Sequence, residues 1–197
     1  MTTYAHKLEA FNLDADTPVS LLPPGKPEML QLDNPAIRAM TDLRQVRAIT
    51  ISPDRSIEFA LELMKHAGIR MLVVEDHSGK LAGLITARDI MGEKPLRIMT
   101  QDRVKHDEIQ VRQVMTSREQ LNPFRYSDVL HATVRDVIVQ LRKAGRQHAI
   151  VVEQRDKGQG YFLRGIFSIT QIGRQLGMDI PVDDHVQSFA EFEKLIA

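Results

Sequence analysis

Two stretches of the chain share one pattern of apolar and polar positions. Ile57, Ala60, Leu61 and Met64 recur every three or four residues, and Val134, Val137, Ile138 and Leu141 do the same further on. That spacing puts each set on one face of a helix, so the pattern predicts two amphipathic helices of about three turns each. The ends agree with the middles. Each stretch opens on a hydroxyl residue, Ser56 or Thr133, that can accept from the free N–H groups of a first turn. Each closes on Ala-Gly, at Ala67-Gly68 and Ala144-Gly145, where glycine can take a left-handed stop.

The segments after the two helices repeat as well. Residues 70–75 (R-M-L-V-V-E) and 147–153 (Q-H-A-I-V-V-E) are short and β-branched and read as buried strands. Polar turns come next, at 76–80 and, longer, at 154–160; second strands at 81–85 and 162–167 then run into another helix. Upstream, Met-Thr occurs at Met40-Thr41 and again at Met115-Thr116. One more strand is expected at 47–51, closed by the S-P-D turn, and the matching stretch 121–128 is less strand-like.

Each copy therefore reads βαββα, and neither can cover both faces of so small a sheet alone. The expected fold class is α/β (α+β): two βαββα repeats packed as one pseudo-symmetric module, with an N-terminal arm and a C-terminal helix. In residues, this gives an arm at 1–34 broken by L-L-P-P-G-K-P, a first copy at 35–95, a helical linker at 96–111, a second copy at 112–177 and a tail at 178–197. The charged connecting stretch 91–112 is expected as a solvated helix. The tail carries Phe189, Phe192, Leu195 and Ile196 at helical spacing, a face that wants a partner surface.

Composition narrows the function classes. The 26 Lys and Arg balance the 26 Asp and Glu, which leaves no global positive field to gather nucleic acid or an anionic membrane. Cysteine is absent, which excludes a disulfide framework, a thiolate metal site and a cysteine nucleophile, and fits a reducing compartment. The opening M-T-T-Y-A-H-K-L-E-A-F lacks the apolar core of a signal peptide, and the internal apolar runs are only a few residues long, so a soluble cytoplasmic protein is expected. The seven histidines are scattered, Asp183-Asp184-His185 has no third cluster to complete a metal site, and no nucleophile setting is present. No enzyme activity and no metal requirement are expected.

Candidate chemistry collects at the strand-to-helix junction G-L-I-T-A-R-D, residues 83–89. Thr86 stands where a helix start leaves N–H groups unpaired, so its hydroxyl and those amides can receive a phosphate. Asp89, one turn on, can accept from two vicinal hydroxyls such as those of a ribose. Phosphate also calls for cations near the strand starts; Arg70 is the first choice, with Arg88, Arg146 and His148 behind it. The second copy reads G-I-F-S-I-T-Q, which keeps the hydroxyl at Ser168 but places Gln171 where the acid would be. A neutral amide accepts more weakly than a carboxylate, so unequal clefts are expected, the Thr86/Asp89 cleft being the better.

The run G-L-I-T-A-R-D resembles the nucleotide-binding signature of CBS (cystathionine-β-synthase) domains. Met-Thr before the first strand, Pro-Asp before the helix and A-G-I-R before M-L-V-V-E-D look like that family too, and the similarity spans about residues 38–177. The resemblance implies a tandem pair of the Bateman-module type whose clefts hold the adenosine part of AMP, ADP or ATP, ahead of S-adenosylmethionine. It also implies a homodimer and an effector protein that the sequence does not identify. On this resemblance the nucleotide would touch Gly83, Thr86, Arg88, Asp89, Ile49, Arg70, Arg146, His148 and Ser168. The alternative of another class is a ligand-independent dimerisation or scaffold protein on the same fold, since fold alone does not fix function.

Overall fold

The computed structural model describes residues 29–154 and 160–180. In chain order, β1 (Thr41–Asp42) and β2 (Thr50–Ile51) lead to α1 (Ile57–Ala67), the hairpin of β3 (Met71–Glu75) and β4 (Leu81–Thr86), and α2 (Ala87–Met91). Two helices, α3 (Glu93–Asp102) and α4 (Val111–Val114), lead to the second set. That set comprises β5 (Thr116–Ser117), β6 (Phe124–Arg125), α5 (Tyr126–Val129), α6 (Val134–Lys143), the hairpin of β7 (His148–Gln154) and β8 (Tyr161–Ser168), and α7 (Ile169–Leu176). The Pro-rich stretch of the arm and the tail bearing Phe189 and Phe192 lie outside the described residues.

The helix ends are set by their residues. Ser56 Oγ accepts from the Phe59 N–H at 3.2 Å, and Gly68 ends α1 with φ +65°. At α6, the Thr133 hydroxyl accepts from the Asp136 N–H while the Asp136 carboxylate accepts from the Thr133 N–H at 2.8 Å, a reciprocal cap that holds the Asp136 carboxyl below its usual range. The strand expected at 47–51 shrinks to Thr50–Ile51, parallel to β3 opposite Val73 and Val74, with Ile49 O accepting from the Val73 N–H at 3.1 Å. Residues 121–128 hold the two-residue β6 and then turn helical in α5.

The sheets are built across the repeat. Their strand orders are β2-β3-β4-β5 and β1-β8-β7-β6. β1, at the start of the first copy, pairs with β8 of the second (Thr41 opposite Ile166), and β5, at the start of the second copy, pairs with β4 of the first (Thr116 opposite Leu84). The exchange extends upstream of both strands. Ala36 N–H donates to Ala132 O at 2.8 Å and Val134 N–H to Asn34 O at 2.9 Å; Val111 N–H donates to Arg55 O at 2.8 Å and Ile57 N–H to Ile109 O at 2.9 Å. Leu30, Ala36, Ala39 and Met40 thus enter the core of the second copy beside Val134, Ile138 and Phe167. Ile109, Val111 and Val114 enter the core of the first beside Ile57, Met64 and Ile85.

The stretch 91–112 is therefore not one solvated helix. α3 exposes most of its residues but buries Pro95 and packs Ile98 and Met99 against the first core; Arg103 at φ +53° ends it, and Ile109 and Val111 beyond are fully buried. Apolar side chains at 109, 111 and 114 bury against α1 and outweigh the charged character of the segment before them. A third cluster, Met71, Val73, Leu84 and Ile150 with Leu121 and Ile166 packed on it, joins the two sheets.

Gly83 and Gly165 make the strand exchange possible. A Cβ on Gly83 would overlap the Thr116 carbonyl oxygen, and one on Gly165 would overlap the Met40 side chain. The second sheet has a further tie. Arg164, buried in β8, pairs with Asp42 of β1 and, at 3.1 Å, with Glu153 of β7, and its guanidinium lies 4.6 Å over the Tyr126 ring. The Arg164 contact holds the Asp42 carboxyl below its usual range.

Candidate functional site

Two pseudo-equivalent clefts open between the copies, each where the strand-to-helix junction of one copy faces the turn after the long helix of the other. At the first, Thr86, Arg88 and Asp89 face Gly145, Arg146, Gln147 and His148, over a floor that includes Met71, Leu84 and Leu121. At the second, Ser168, Thr170 and Gln171 face Gly68, Ile69 and Arg70, with residues 46–49, Thr41, His148, Ile166 and Arg174 completing the wall. The first encloses about 140 Å³ and the second about 300 Å³. Of the two, the second alone reaches the lower end of the range for small-molecule pockets, roughly 300–1,000 Å³.

This geometry sorts the residues singled out from the sequence. Thr86, Arg88, Asp89 and Arg146 share the first cleft; Ser168, Arg70 and Ile49 share the second; His148 lines both. Arg70 does not join Thr86, although its backbone is close enough for Ala87 N–H to donate to Arg70 O at 2.9 Å. Gly83 lines neither cleft and serves the approach of β5 instead. Thr41, Arg47, Thr170 and Arg174 are lining residues that sequence reasoning did not pick out. One signal was readable: Gln171 and Arg174 are three apart on a helix and so share a face.

Local hydrogen bonding distinguishes the two junctions. At the first, Asp89 Oδ2 accepts from the Thr86 N–H at 2.9 Å and from Thr86 Oγ1 at 2.6 Å, while Thr86 Oγ1 accepts from the Asp89 N–H at 3.2 Å. The hydroxyl and one carboxylate oxygen are thus engaged in a capping box on the five-residue α2. At the second, Ser168 makes no such side-chain cap to α7, and Gln171 Oε1 accepts from Thr41 Oγ1 at 3.2 Å across the exchanged strand.

Charge distinguishes them further. The first cleft sets Asp89 among Arg88 and Arg146, and Arg146 donates to Gln120 O at 3.2 Å. The second presents Arg47, Arg70 and Arg174, and no Asp or Glu among the described residues lines it. His148, between the two, has an Nδ1 shielded from water and without a partner among the described residues. Burial, helped by the Arg70 charge and opposed by Asp89, pushes its imidazole down to about 4. Among the described residues there is no group of three His, Asp or Glu side chains placed to hold a metal, and no helix long and apolar enough to cross a membrane.

The second cleft combines apolar Ile49, Ile69 and Ile166 with polar Gln171 and Ser168 and three arginines. Comparison with known proteins bears on what the clefts belong to. The family model for the CBS domain matches residues 38–95. An uncharacterized protein of Methanopyrus kandleri is 34% identical over 67 residues, 34% of this chain and 34% of that protein, so the match spans about a third of that relative's length. Among solved structures, an uncharacterized conserved protein from Pyrococcus horikoshii superposes with a TM-score of 0.54 at 19% identity, covering 77% of this chain and 98% of that one. A CBS-domain containing protein from Agrobacterium tumefaciens does so with a TM-score of 0.51 at 20% identity, covering 70% and 93%. At these identities the structural likeness is one of fold.

Proposed function

We propose that this chain, whose residues 38–95 match the CBS domain and whose fold is that of a tandem pair, is a non-catalytic regulatory module that binds an adenosine-containing nucleotide between its copies. The observation that carries this reading is that each cleft is built jointly by both copies. A ligand held there contacts two bodies at once, so its binding energy falls on how they pack, and a second protein can read the change. Guanidinium groups in both clefts favour a phosphate-bearing ligand, AMP, ADP or ATP, over S-adenosylmethionine, which has none.

In the first cleft, Asp89 Oδ1 would accept from the ribose while Arg88 and Arg146 meet phosphate. In the second, Gln171 and Ser168 take the corresponding places. The reading calls for no metal ion and places the protein in the cytoplasm, where these nucleotides are abundant. It also includes a homodimer, supported by the exposed Phe59 on α1 and Met91 on α2.

The test is thermal unfolding and titration calorimetry of the full chain with AMP, ADP, ATP and adenosine, with light scattering alongside. A ligand that binds the native state alone must raise the melting temperature. No shift and no heat with any of the four would overturn the proposal, and a monomer mass with and without nucleotide would remove the dimer.

A further inference from the structure

Several arginines outside the two clefts are committed to acids. Arg44 pairs with Glu153, Arg112 with Asp54, Arg135 with Asp33 and Arg164 with Asp42. Arg47, Arg70 and Arg174 form no ion pair among the described residues, and all three line the second cleft, which has no acid of its own among them. Three like charges around one cavity repel one another, and a ligand carrying several negative charges relieves that repulsion more than one carrying two.

The shape of the space points the same way. Arg70, Thr170 and Arg174 line the second cleft and also a neighbouring cavity of about 480 Å³ that runs past Gly173 and Gly177 to Asp179. The two arginines therefore stand on the boundary of both spaces. A nucleoside seated against Ile49, Ile69 and Ile166 would have its first phosphate near Ser168 and room beyond for more. The first cleft, at about 140 Å³ and with Asp89 on its wall, offers neither the space nor the charge.

Resting on the proposal that an adenosine nucleotide is the ligand, we infer that the Ser168/Gln171 cleft is its principal seat and selects by phosphate number. It takes ATP or ADP over AMP, and the distal phosphates pass between Arg70 and Arg174 into the outer cavity.

The experiment is titration calorimetry of the full chain with ATP, ADP, AMP and inorganic tripolyphosphate, on wild type, Arg70→Gln, Arg174→Gln and Asp89→Ala. Arg103→Gln, outside both clefts, controls for net charge. ATP should bind at least about tenfold tighter than AMP, and each of the two cleft arginine variants should weaken ATP by about tenfold, the worth of one charge-assisted contact, while changing AMP by less than about threefold. Arg70 and Arg174 are exposed, so melting temperatures without ligand should match wild type and show the variants to be folded. AMP binding as tightly as ATP, or ATP binding lost in Asp89→Ala and kept in Arg174→Gln, overturns the inference. Tripolyphosphate binding that depends on Arg70 and Arg174, with no nucleotide binding, keeps the anion site and removes the nucleoside reading. Silence with all four ligands removes both.

Discussion

His148 gives the sharpest test of how the copies meet, because its imidazole is held neutral between two clefts. The perturbation is acid. The unfolded chain takes up a proton on this residue near the ordinary imidazole pKa of about 6.5, whereas the folded chain refuses it until about pH 4. Over that window the unfolded state binds more protons than the native one, so stability is present at neutral pH and is lost as pH falls from 6.5 towards 4. The interval of about 2.5 units corresponds to about 3 kcal/mol in full, and to about 2 kcal/mol by pH 5. The assay is urea unfolding of wild type and His148→Gln at pH 7, 6, 5 and 4.5. Every other histidine and carboxylate is common to both proteins, so the difference between their free energies isolates this one group. Wild type should lose about 2 kcal/mol more than the variant between pH 7 and pH 5. Parallel loss in the two would refute the argument and place the ring in contact with water.

The packing leads to three further outcomes. Gly83→Ala should cost about 3 kcal/mol in chemical denaturation and more than Gly165→Ala, because the added methyl meets the rigid Thr116 carbonyl in one case and the flexible Met40 side chain in the other; equal costs would contradict this. Arg164→Ala should destabilise by about 2–3 kcal/mol, below the full cost of breaking a buried pair because Asp42 and Glu153 keep partial access to water, and a change under about 0.5 kcal/mol in urea unfolding would remove the tie assigned to it. Gln171→Asp should lower the ratio of ATP to AMP affinity, since it puts a carboxylate into an acid-free cleft; a raised ratio in calorimetry would reverse the electrostatic argument.

Local signals in the sequence were legible wherever neighbours in the chain decide the structure. The 3.6-residue spacing around Met64 and Leu141, the caps at Ser56 and Thr133, and both hairpins needed nothing from elsewhere. The strand exchange was not legible. Thr41–Asp42 and Thr116–Ser117 are two residues each, too short for any periodicity, and the pairing partner of Thr41 is Ile166. The same limit applied to the site. Thr86 and Asp89 announced themselves by their spacing, but which turn faces which junction depends on how the copies pack, and that packing sets Arg70 and Ile49 beside Ser168. Ile109, Val111 and Val114 were masked by the charged residues before them, and only the groove beside α1 explains their burial.

Because each sheet borrows an edge strand from the start of the other copy, the first half is unfinished when its own residues leave the ribosome. The first copy must wait for Thr116 and Ser117 to emerge before β4 has a neighbour on that side, and Thr41 and Asp42 must be kept available until β8 is made. Folding therefore converges late, on contacts far apart in the chain, and belongs with the slow topologies in which pairing comes after long loop closure. A fragment cut to residues 38–95 would carry β4 with its edge bare and its core short of Ile109, Val111 and Val114. Such an edge seeks another strand, and the nearest supply is a second copy of the same fragment or a swapped segment from a full-length neighbour.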